Sequence, residues 1–179
     1  MPLTITEALA EIKTIGKRVE KKRATILQFI ARADGAKDPL EKDGGSEKFI
    51  ASERQAVADL NAHVIALRRG IQHANDTTTV TIGEQSRTIS EWLTWRREVA
   101  PGNKQFLDSL RAGIQNLRQQ VQRQGNAVVP AGGVAEKPTD VMININEHKL
   151  AQEIESLEET LGVLDGQLSL KNATVTIKE

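Results

Sequence analysis

The sequence predicts a mainly α fold, an antiparallel bundle of long heptad-patterned helices arranged as helical hairpins, with a small β-hairpin and a short terminal strand. Three observations predict it. Apolar residues recur at alternating spacings of three and four over long stretches. Two loops rich in Gly, Pro and charge, residues 33–46 and 125–139, interrupt those stretches. Between the loops one segment, residues 78–88, switches to the two-residue alternation of a strand pair. Residues 1–179 are read as a single helical domain.

The first helix is announced by TITE, where Thr4 caps the N–H of Glu7 and the Glu7 carboxylate reaches back to Thr4. Its seam reads Ile5, Leu9, Ile12, Gly16, Val19, Ile26 and Ile30, with Arg23 in the slot between Val19 and Ile26. Asp34-Gly35 ends it. The second helix, from about Ser46 to Ala74, carries Ile50, Val57, Leu60, Val64, Leu67 and Ile71 at the same spacing, with Glu53 in one seam slot. At 1.5 Å per residue both helices span about 40 Å, so they form an antiparallel hairpin.

After Asn75-Asp76, Val80 and Ile82 alternate with Thr79 and Thr81 before Gly83 turns the chain back along Ser86 to Thr88. RTISEWL then repeats the capping chemistry of the N-terminus, with Thr88 as cap and Glu91 three residues on. The hairpin therefore launches a third helix. Trp92 and Trp95 lie on one face of it. Pro101-Gly102 breaks or restarts the helix before Phe106, Leu110, Ile114, Leu117 and Val121 resume the seam. VMININ, Val141 to Asn146, alternates like a strand, and Leu150, Ile154, Leu157, Leu161, Leu164 and Leu168 form a last heptad helix.

Charge divides unevenly between the ends. The chain holds 24 basic and 24 acidic side chains, so no net field draws the whole molecule to nucleic acid or an anionic membrane. From Met1 to Arg32 there are seven basic and three acidic residues, whereas Glu147 to Ser169 holds five Glu and one Asp against one Lys. The first and last helices are therefore expected side by side. The chain ends on TVTI, Thr174 to Ile177, repeating Thr79 to Ile82, and two such strands can pair within a subunit or between subunits.

No constellation for catalysis is found. Without Cys there is no thiolate, disulfide or Cys-based zinc site. His63 and His73 stand roughly 15 Å apart along one helix, too far to share a metal, and His148 belongs to no ligand motif. The carboxylates Glu153, Glu155, Glu158 and Glu159 alternate with a Leu seam and read as a solvated face. KRVEKKR contains Glu20, lacks interleaved aromatics, and reads as a partner for an acidic helix. KDGGS lacks the strand and the ending of a phosphate loop. No catalytic residue, metal, cofactor or small-molecule substrate is expected, and neither nucleic acid nor membrane is an expected partner. The first dozen residues include acidic side chains and no signal-peptide apolar run, and no 18-residue apolar stretch occurs. The expected location is the virion for a phage-encoded chain, otherwise the cytoplasm.

ITEALAEIKTIGKRVEKKR, the turn from Asn75 to Thr79 leading into RTISEWL, and EIESLEETLGVLDGQLSLKNAT resemble the septicolysin-like family of small helical bacterial proteins. That resemblance implies an all-helical oligomer with no established catalytic residues. The chain also resembles the coiled-coil virion components of tailed bacteriophages. The expected function is that of a non-enzymatic structural protein, an oligomeric component of a phage capsid, neck or tail acting through helix packing and strand-edge contacts. The alternative is a septicolysin-like membrane-active or effector role, with the Lys/Arg-rich first helix as the segment that leaves the bundle. The expected interface residues are Thr79, Thr81, Trp92, Trp95, Thr174 and Thr176. For the tryptophans three roles stay open, ligand platform, interface anchor or plug of the helical core beneath the hairpin.

Overall fold

The computed structural model describes residues 2–178. The chain is mainly α, with a small antiparallel hairpin and a short parallel strand pair. Inside the span read as one domain it forms two compact units, the chain up to Thr78 together with the segment from Ser169, and Thr79–Leu168. Among the described residues no helix is long and apolar enough to cross a membrane.

The first unit is built on α1 (Ile5–Gln28) and α2 (Ser46–Thr77). The capping box forms as expected: the Glu7 amide donates to Thr4 Oγ1 and the Thr4 amide to Glu7 Oε2. The helices run antiparallel, since Glu11 meets His63, Lys22 meets Glu53, and Phe29 stacks edge-on against Phe49. The α1 seam differs from the expected one at every second slot. Ile5, Ala8, Ile15 and Val19 are buried, whereas Leu9 is 40% and Ile30 64% exposed. Lys22, not Arg23, therefore occupies the polar slot, where its Nζ lies 2.8 Å from Glu53 Oε2.

The loop after α1 folds on Asp38. Its carboxylate accepts from the Ser46 amide at 2.8 Å, the Leu40 amide at 2.9 Å and the Ser46 hydroxyl, with Arg32 nearby. These bonds, led by the Ser46 hydroxyl, pull its pKa down to about 2. They also satisfy an orphan amide at the start of α2. At the other end the expected terminal strand is reduced to one bridge, because a further helix continues through Thr174 and only Thr176 pairs, antiparallel with Thr4. The Ile5 amide donates to Val175 O and the Ile177 amide to Leu3 O. Gly70 on α2 admits this segment, for a Cβ there would stand 2.9 Å from the Lys178 carbonyl oxygen.

The second unit opens with β1 (Thr79–Ile82) and β2 (Gln85–Thr88), paired Thr79↔Thr88 through Ile82↔Gln85. Gly83 has φ +57 and Glu84 no positive φ, the pattern of a type II′ hairpin turn. Thr88 then caps α3 (Ile89–Thr94) with a second complete capping box through Glu91. The expected break at Pro101 is a bulge instead. A π-helical turn, Trp95–Val99, links α3 to α4 (Ala100–Arg123), and the Ala100 amide bonds Trp95 O, five residues back. Proline lacks the next N–H of the ladder and crowds the preceding turn, and widening that turn lets the helix continue.

The loop read as residues 125–139 contains a strand. β3 (Val128–Val129) pairs parallel with β4 (Val141–Met142), so only the start of VMININ is extended. Asp140 holds the connection by accepting the amides of Ala127, Lys137 and Glu136, bonds that lower its pKa, that from Ala127 most. α5 (Glu147–Thr174) starts where Asn146 Oδ1 accepts the Lys149 amide. It lies antiparallel to α4, as Arg118–Glu147 and Lys104–Glu158 show, around a core of Ile114, Ile143 and Leu150. Glu147, Glu158 and Asp165 of α5 pair with Arg118, Lys104 and Arg96 of the same unit.

Candidate interaction surface

The tryptophans part company. Trp92 is 0% exposed, and its Nε1 donates to Val80 O at 2.9 Å. The Arg87 guanidinium lies 4.9 Å from its ring centroid, in cation–π range. Trp92 therefore locks α3 under the hairpin. Trp95 meets it edge to face, centroids 5.4 Å apart, and stays half-buried.

Trp95 forms part of the wall of an open groove of about 870 Å³ in the second unit. Val99, Phe106, Leu107 and Leu157 continue its apolar lining, while Arg87, Lys149 and Glu153 bring charge to it. Phe106 is 63% and Val99 44% exposed, large apolar side chains left in water along the same groove. Phe106 was expected in the seam. Leu107 takes that slot instead, packing with Leu110 and Leu117 on the core around Ile114, and Phe106 stands one residue, about 100°, away from it. Val99 and Phe106 were absent from the residues the sequence singled out as interface candidates. The signal that could have found Phe106 was Leu107, which continues Leu110, Ile114, Leu117 and Val121 at alternating three and four spacing and leaves Phe106 outside the seam.

Thr79 and Thr81 share the outer edge of β1 and are exposed. A two-residue turn closes a hydrogen-bonded pair, so bonded pairs fall at Ile82↔Gln85 and Val80↔Arg87. Alternation then aims the N–H and C=O of Thr79 and Thr81 away from β2, at an open edge. Thr174 and Thr176 belong to the first unit. The Thr174 hydroxyl bonds Leu170 O inside the end of α5, and Thr176 is the residue bridged to Thr4. The structure therefore brings Thr79, Thr81, Trp92 and Trp95 into one unit and places Thr174 and Thr176 in the other.

Charge chemistry at these places is that of paired surfaces. Lys104 and Glu158 hold each other ionised, the lysine raised and the carboxylate lowered by their mutual hydrogen bond. His63 Nε2 lies 2.9 Å from Glu11 Oε1. Among the described residues no three His, Asp or Glu side chains converge as a metal site would require. Compared with known proteins, the chain matches no family model, and no curated protein or solved structure matches it.

Proposed function

We propose that this chain is a non-enzymatic structural protein that works by self-assembly, as a component of a bacteriophage virion does. The observation that carries the reading is the groove in which Phe106 and Val99 stand exposed beside Trp95. Aromatic side chains in a cleft between helices are the anchors that a partner's apolar side chains bury on association. The open edge at Thr79 and Thr81 adds backbone donors and acceptors of the kind used in strand addition. Virion components act by such contacts, and long heptad helices supply rigid elements to present them.

Sedimentation velocity over a wide concentration range tests this. The parent chain is expected to associate, and Phe106→Asp to weaken association by about ten-fold or more while its helical circular dichroism is kept. A parent that remains monomeric throughout, or a Phe106→Asp variant that associates like the parent, overturns the reading.

A further inference from the structure

In α1 the buried residues Ile5, Ala8, Ile15 and Val19 define the inner side. At 100° per residue, Lys13, Lys17 and Lys21 fall on the opposite side in one row about 12 Å long. All three are exposed and outside every ion pair among the described residues, because the charged contacts of α1 use Glu11, Glu20, Lys22 and Arg23. In α5 the buried residues Leu150, Leu164 and Leu168 define the inner side. Glu155 and Glu159 lie across from them, likewise exposed and outside the ion pairs, which use Glu147, Glu158 and Asp165.

The outer face of α5 is also open to close approach. Gly162 and Gly166 come after the two glutamates on the same side, and a Cβ built on either meets nothing within 4 Å. Val163 beside them is 43% exposed.

We infer that the lysine row Lys13, Lys17 and Lys21 of one copy docks on the Glu155/Glu159 face of α5 in a second copy. Charge complementarity selects this occupant. One chain carries both rows and its formal charge is zero, so every copy offers a basic row to one neighbour and an acidic row to another, whereas α1–α1 and α5–α5 encounters set like charges together. The contact rests on the reading of the chain as an assembly protein and adds to it a surface separate from the groove.

Charge reversal tests it by sedimentation velocity at about 20 mM and about 500 mM salt, where screening differs several-fold in range. The parent is expected to associate more strongly at low salt. Lys13→Glu/Lys17→Glu and Glu155→Lys/Glu159→Lys are each expected to lose low-salt association alone, because both rows of each variant then carry the same net sign. An equimolar mixture of the two is expected to recover it, since each row again meets its opposite. If a reversal variant fails to fold by circular dichroism, Lys17→Gln and Glu159→Gln take its place, and each should weaken association and flatten its salt dependence. Association that ignores charge, or a mixture that stays dissociated, overturns the α1–α5 contact and leaves the assembly reading standing. A parent that is monomeric in both salts overturns both.

Discussion

Replacing Trp92 by Ala removes a wholly buried indole and the donor to Val80 O in one step. The cavity and the lost apolar burial together are expected to cost about 3–5 kcal/mol. Trp95→Ala, at a half-buried position on the groove, is expected to cost less than half of that in stability. Thermal melts monitored by circular dichroism separate the two, and equal losses would contradict the division of the pair into plug and groove wall. The sequence left this choice open for a physical reason. Residues three apart share a helical face, and which of them reaches deepest depends on what that face meets, here a hairpin whose Val80 carbonyl takes the Trp92 N–H.

At the scale of the element, caps and periods were legible while the exact seam was not. Both Thr-x-x-Glu capping boxes form, because a cap involves only atoms within one turn. The seam of α1 holds Ile5, Ile12, Val19 and Ile26 in either register, and the slot between them is filled at three or at four residues onward. Ala8, Ile15 and Phe29 compete there with Leu9, Gly16 and Ile30, and hydrophobicity alone does not decide between them. Glu53 on α2 takes Lys22 in the register observed, a polar pair that fixes the alignment of the two helices. The strand Val128–Val129 was hidden because two residues give no period to read.

The loop before α2 carries a pH dependence that originates in Asp38. Its folded pKa, about 2, is depressed below the ordinary 3.8 by amide and hydroxyl donors that need the ionised carboxylate. The stabilisation is therefore present above about pH 3.8 and is lost as pH falls toward about 2. Asp38→Asn keeps an acceptor but loses the charge, so its melting temperature is expected to fall below the parent's at neutral pH and to converge with it near pH 2. Melts of both proteins across this range check it, and a constant gap between them would remove Asp38 as the cause.

For the whole molecule, a formal charge of zero means that association is governed by where charges stand, not by their sum. The β1 edge is a sensitive place to add one. Thr81 is exposed, and its hydroxyl makes a 3.2 Å contact with Ser86 Oγ. Thr81→Lys can extend its ammonium into water in the free chain, so stability is expected to stay within about 0.5 kcal/mol of the parent. In an assembly that adds a strand at Thr79 and Thr81, the same lysine is carried into the contact, where an unpaired charge blocks edge pairing as it does on natural edge strands. Association is expected to weaken by about ten-fold while the melt is unchanged. Thr176→Lys provides the contrast, since Thr176 already has Thr4 as its bridge partner. Sedimentation and circular dichroism on the two variants read both quantities, and a Thr81→Lys protein that assembles like the parent would exclude the β1 edge from the interface.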